Sequence, residues 1–160
     1  PVLTIQPDAD LAYPYREILV PTDGSDCANA ALTLGADLAT VDDATLHLLS
    51  VINVTGLGID VRADLQMDAF EEHAQKAVSD AAATATDAGV DSVSEAVEIG
   101  ASIHQTILSY IDDHDVDVVV VGTHGRTGFD RYMLGSVTEK LIRTAPVPVL
   151  TVREEEIEEE

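Results

Sequence analysis

The stretch Val118-Val-Val-Val-Gly122-Thr-His-Gly125-Arg-Thr-Gly-Phe-Asp-Arg-Tyr-Met-Leu-Gly135-Ser136-Val-Thr-Glu139-Lys-Leu-Ile142 decides the fold. Its valines form a β-branched run of the kind that fills a strand buried on both faces, and Gly122 ends it. Gly125 follows after two intervening residues, Gly135 after nine more, and Gly135-Ser136 opens an apparent helix. A strand, a long glycine-bearing loop and a helix N-terminus are the parts from which α/β proteins build phosphate cradles. At about twelve residues the loop is longer than most connections in compact domains, and loops near that length are often functional. A phosphate would accept hydrogen bonds from the amides of Gly135, Ser136 and Val137, with the Ser136 hydroxyl adding one. A plainer reading stays open beside this one. Gly122 ends a strand, Gly125 and Gly128 turn the chain, and Ser136 caps a helix, because Ser136-Val-Thr-Glu139 has the capping-box pattern.

Upstream, apolar runs and helical periods alternate. Residues 17–20 read as a short buried strand, stopped by Pro21-Thr22-Asp23-Gly24-Ser25, a dense turn signal. Ser25 can cap a helix over 26–40, with Ala28, Leu32, Gly35 and Ala39 on one face. Residues 45–52 read as a second strand and 53–60 as a loop. A long helix is expected over 64–88, where Met67, Phe70, Ala74, Val78, Ala81, Ala85 and Ala88 recur at three and four and Gly89 closes it. Residues 92–98 alternate as a strand, Gly100 precedes a helix carrying Ile103, Ile107 and Ile111, and 117–121 is the strongest strand. A helix then runs from Gly135 or Ser136 to Thr144. The last strand, Val147 to Val152, has prolines at 146 and 148 that suit an edge position. Residues 1–14, with three prolines and no period, read as an irregular lead-in, and 154–160 as a solvated acidic tail. The alternation predicts an α/β fold over 15–153: one Rossmann-like domain with a parallel sheet and helices on both faces.

Composition narrows the partners. The chain has 160 residues, 46% of them hydrophobic, but six aromatics, so its core is built from Val, Leu, Ile and Ala. No stretch approaches the ~20 apolar residues of a membrane span, and the first residues lack the pattern of a secretory signal. One cysteine, Cys27, fits a reducing cytoplasm and more readily packs than reacts. Thirty acidic residues against eight basic ones give a formal charge of −22, a field that repels nucleic acid and anionic membranes. An acidic composition with two lysines on an ordinary aliphatic core reads as that of a salt-adapted protein, an expectation about environment and not about activity. At ~1 M salt the Debye length is about 3 Å, so the charge would barely oppose an anionic ligand there.

Asp23 follows the first strand. It reads either as an Asx-turn residue or, if the first and fourth strands are central neighbours, as a carboxylate facing the same crevice as Gly122. There it would bind ribose hydroxyls or a phosphate-bound Mg²⁺. His124 lies in the long loop. Arg126, Arg131, Lys140 and Arg143 place half of the eight positive charges within eighteen residues. The remaining histidines are dispersed, and neither a Walker A nor a G-x-G-x-x-G pattern is present. No spacing argues for a catalytic triad or a carboxylate pair.

At these residues the chain resembles the universal stress protein family. The pattern G-x2-G-x9-G-[ST] of its ATP-binding members stands here as Gly122, Gly125, Gly135 and Ser136. Residues 18–25, 48–52 and 145–152 are similar to the family's opening strand and turn, its second strand and its terminal strand, so the likeness covers about 15–153. With the acidic composition, it suggests a halophilic archaeal source. The resemblance implies a five-stranded parallel sheet in the order 3-2-1-4-5. It also implies that Pro21, Thr22, Asp23 and Val51 line the adenine and ribose end. Gly122, Thr123, His124, Gly125 and Arg126 would approach ribose and phosphates, and Gly135, Ser136, Val137 and Thr138 would hold the phosphate tail. It implies a homodimer through the last strand, Val147 to Val152. Ser50 departs from the histidine that relatives often carry, with little consequence expected.

Three functions fit. The leading one is an ATP- or AMP-binding homodimeric stress-response regulator in the cytoplasm, which needs no catalytic base. The others are a slow ATPase or nucleotidyl-transfer enzyme on the same sheet, and a nucleotide-free scaffold dimer.

Overall fold

β2 (Glu17–Pro21) and β5 (Val118–Gly122) lie side by side and parallel at the centre of the sheet, in the register Ile18↔Val118 and Leu19↔Val119. The computed structural model describes residues 1–54, 61–123 and 135–153, with backbone alone for 61–66. The chain runs β1 (Val2–Thr4), β2, α1 (Asp26–Asp42), β3 (Thr45–Asn53), α2 (Val61–Asp87), β4 (Ser92–Gly100), α3 (Ile103–Asp113), β5, α4 (Ser136–Thr144) and β6 (Val149–Val152). The strands form one sheet in the order β1-β6-β5-β2-β3-β4. Counted from β2, the last five make the expected 3-2-1-4-5 order, all parallel.

Strand periodicity sorts the core into two halves. Ile18, Val20, Leu46, Leu48, Val118 and Val120 pack on one face against Ala31, Leu32 and Ala36 of α1 and Ala81 and Ala85 of α2. Leu19, Leu49, Val119 and Val121 face the other way, onto Ile107, Tyr110 and Ile111 of α3 and Leu141 of α4. α1 starts where Ser25 accepts a hydrogen bond from the Ala28 amide at 3.2 Å. Its buried stripe is nearly all small residues, and the helix lies close on the sheet. A Cβ on Gly35 would come within 2.6 Å of Val20 Cγ2.

Two expectations change. The lead-in is not wholly irregular, because β1 pairs antiparallel with β6 through Val2↔Thr151, Leu3↔Leu150 and Thr4↔Val149. The sheet therefore has six strands where five were expected, and β6 is not its edge. The turn-rich, proline-bearing lead-in concealed a strand of three residues, whose formation depends on a partner 145 or more positions away. Pro146 and Pro148 precede β6 without entering it.

The amino end of β3 carries a polar cluster within the second core. His47 is buried, with Nδ1 2.8 Å from the Tyr110 hydroxyl and Nε2 against Glu17. The His114 ring stacks on Tyr110 at 3.8 Å. Burial pushes the Tyr110 phenol above its usual range; Glu98 and Glu17 add to the rise, and a hydrogen bond with Ser94 opposes it. Tyr110→Phe leaves His47 Nδ1 without this partner, so urea denaturation at pH 7 should show a loss of about 1–3 kcal/mol. The phenol's folded pKa lies above its unfolded value of 10.0. Its contribution is thus complete below that pH and lost as pH rises through the folded pKa, so the variant should lack this component of the alkaline destabilisation.

Candidate functional site

Strand order reverses between β2 and β5. The chain fills one side of β2 with β3 and β4, then returns to the other side with β5 and β6. Open α/β sheets bind ligands beyond the carboxyl ends of their strands at such a reversal. The turn after β2, the end of β5 and the first turn of α4 meet there.

The turn is held by its own backbone. Thr22 is buried, its amide donates to the Leu49 carbonyl at 2.8 Å, and its hydroxyl accepts from the Gly24 amide at 3.2 Å. Asp23 Oδ1 accepts from the Ser25 amide at 2.9 Å, and Gly24 takes φ +79°, a value that disfavours a side chain. The Asx-turn reading of Asp23 is therefore realised, at the crevice the other reading required. Pro21 ends β2, and Val51 lies half-buried on β3 against the second core.

The two described glycines of the motif differ in what they do. A Cβ on Gly122 would stand 2.8 Å from both the carbonyl carbon and oxygen of Cys27, so β5 and the first turn of α1 touch backbone to backbone. This is a packing reason for glycine. Gly135 has φ −60° and ψ 149°, which any residue adopts. Backbone conformation does not demand glycine at 135, whereas close approach by another molecule would.

The ends of the long loop are stitched together. The Gly135 amide donates to the Thr123 carbonyl, the Thr123 amide to the Val152 carbonyl at 3.0 Å, and the Thr138 hydroxyl to the Gly122 carbonyl at 2.8 Å. Both threonines are buried. Gly122, Thr123, Gly135, Ser136, Val137 and Thr138 are thus brought together, next to the turn carrying Thr22 and Asp23. His124, Gly125, Arg126 and Arg131 lie outside the described residues.

The capping-box reading of Ser136 does not hold. Gly135 is the N-cap and Ser136 the first helical residue, while Glu139 pairs with Arg143 at 2.7 Å on the surface. An α-helix leaves its first amides without intrahelical partners. In α4 these are Ser136, Val137 and Thr138, and the N-cap, being glycine, offers them no side-chain acceptor. They give this end of the crevice hydrogen-bond donors and the positive end of a helix dipole, suited to an anion.

Sequence reading missed the Thr138–Gly122 bond and the Cys27 contact. The available signals were a threonine in the first turn of a helix and a small residue two places after a helix cap, both too common to single out. Among the described residues, no group of three or more His, Cys, Asp or Glu could hold a metal ion, and no helix is long and apolar enough to cross a membrane.

A family model described as the universal stress protein family matches residues 14–153. A universal stress protein of Methanocaldococcus jannaschii is 32% identical over 142 residues, covering 87% of this chain and 82% of that protein. Among solved structures, the universal stress protein UspA from Lactobacillus plantarum superposes with a TM-score of 0.80 at 28% identity, over 87% of this chain and 98% of that one. A universal stress protein from Archaeoglobus fulgidus in complex with dAMP shares the fold, with a TM-score of 0.66 at 20% identity, over 87% of this chain and 98% of that one.

The Gly122–Cys27 contact makes a prediction that needs no ligand. Gly122→Ala drives a methyl group into backbone that cannot rotate away, so denaturation should show a loss of about 1–3 kcal/mol. A stability equal to that of the parent chain would contradict the packing reason for this glycine.

Proposed function

The chain belongs to the universal stress protein family, and on that premise we propose that it binds an adenine nucleotide, ATP or AMP, at the strand-order reversal. It acts as a nucleotide-dependent stress-response regulator and works as a homodimer in the cytoplasm of a salt-adapted archaeon. The observation that carries the nucleotide reading is the first turn of α4. Three consecutive amides begin a helix whose N-cap, a glycine the backbone does not require, offers them no side-chain acceptor, and the Thr138–Gly122 bond holds that turn against the end of β5.

The residues present fit the nucleotide. The amides of Gly135 to Thr138 and the Ser136 hydroxyl would take the phosphates. Because the Thr138 hydroxyl already donates to Gly122, its part is to hold α4 in place. Gly122, Thr123, His124, Gly125 and Arg126 would follow the ribose and phosphates, with Arg126 supplying positive charge in a strongly acidic chain. Pro21, Thr22 and Val51 would border the base. Asp23 would serve ribose hydroxyls or a phosphate-bound Mg²⁺. The dAMP complex of the Archaeoglobus protein is in keeping with this reading, although at 20% identity it speaks for the fold.

The test is thermal unfolding in high salt with ATP, AMP and no ligand. Nucleotide at 100 times its dissociation constant should add about 2.7 kcal/mol of stability. Gly135→Val should abolish that gain while leaving a folded protein, because φ −60° and ψ 149° admit valine. Ser136→Ala should leave the ligand-free stability within about 0.5 kcal/mol, since Ser136 is not the cap, and weaken binding by about 0.5–1.5 kcal/mol for the lost hydrogen bond. Equal nucleotide affinity in both variants would remove the phosphate from α4.

A further inference from the structure

The edge of β6 is covered by a strand that its sheet does not require. The five parallel strands and both core halves are complete without β1, none of whose residues belongs to either half. β1 is held by backbone pairing with β6, a Thr151 hydroxyl bond to the Val2 carbonyl at 3.2 Å, an Asp10 amide bond to the Pro146 carbonyl at 2.9 Å, and Gln6 on the Ile142 carbonyl. Side-chain burial adds little: Val2 is 64% exposed and Leu3 47%. A strand fixed chiefly by main-chain bonds is replaceable by any other extended strand that offers the same bonds.

The pairing sense indicates which strand that is. A two-fold dimer formed edge to edge must pair the same strand of each copy antiparallel, because the interface is self-complementary. β1 already lies antiparallel on β6 and so occupies the place of a second β6. The edge also suits two highly acidic chains, since Val149-Leu150-Thr151-Val152 carries no charge in a molecule of net charge −22. The connection permits release. Residues 5–16 span from β1 to β2, three strand spacings or about 14 Å away, and twelve residues extend to roughly 40 Å.

We infer that β1 is a displaceable cover on the dimerisation edge: β6 of a second copy adds to this sheet when β1 leaves it, and the docked strand holds the chain monomeric. The inference rests on the homodimer of the proposed function and is independent of its nucleotide site. Two opposite perturbations test it, read by sedimentation velocity in high salt over a range of concentrations. Val2→Cys with Thr151→Cys places cysteines at partnered positions across β1 and β6; Thr151→Cys also removes the hydroxyl bond to the Val2 carbonyl, and Cys27 is buried. Oxidised, this variant should stay monomeric, and reduction should restore self-association at least as strong as that of the parent chain. Thr4→Pro, which removes from β1 alone the ladder amide facing Val149, should tighten dimerisation at least tenfold. Thermal shift with ATP should be unchanged in both variants, so a failure of the nucleotide site would be seen separately. An oxidised variant that dimerises as well as its reduced form would place the interface elsewhere, the outer edge of β1 included. A Thr4→Pro variant that self-associates no more than the parent would show that β1 guards nothing. Either result overturns the inference.

Discussion

The structure depends on burying β2 and β5 from both sides. Ile18, Leu19, Val20, Val118, Val119 and Val120 have no exposed surface, and each such aliphatic side chain gains about 1.5–3 kcal/mol from leaving water. Parallel strands with two apolar faces need helices on both, and each crossover must leave the sheet and return to it. α1 and α2 cover one face and α3 and α4 the other. Once β3 and β4 have filled one side of β2, β5 has only the other side, and the crevice follows from that reversal.

Close approach at the crevice is achieved with small groups. α1 meets β5 through Gly122 and the backbone of Cys27, and α4 is drawn to the same strand end by the Thr138 hydroxyl. Two helix N-termini therefore point into a narrow region framed by backbone. One of them, α1, is closed by the Ser25 side chain, whereas α4 has glycine as its N-cap.

The opposite end of the sheet carries polarity of another kind. Glu17, His47, Tyr110 and His114 form a compact network beneath β2, β3 and α3. The Tyr110 hydroxyl and the Glu17 carboxylate take the two His47 ring nitrogens, so the cluster ties α3 to β2 and β3. The amino ends of these strands serve the packing.

Most of the fold was legible in the sequence because its signals are local. The valine run at 118–121, the turn at 21–25, the helical spacing of Ala74, Val78, Ala81 and Ala85 and the capping serine at 25 each report a conformation set within a few residues. The glycine spacing from Gly122 to Ser136 carried the family resemblance for the same reason; His124, Gly125 and Arg126 of that stretch lie outside the described residues. What sequence could not show is who meets whom. Ser136-Val-Thr-Glu139 has the letters of a capping box, but Gly135 became the cap and Glu139 turned to Arg143. Gly122 reads in the sequence as a ligand glycine; its packing reason emerges only where the tertiary structure brings Cys27 to it. Val2 to Thr4 is a strand solely because β6, from the far end of the chain, supplies its partner. The sequence determined the elements and the order of the parallel sheet through local periodicity and family pattern. The tertiary structure decided the contacts between distant residues, since hydrogen bonds and close packing depend on distances in space that spacing along the chain does not encode.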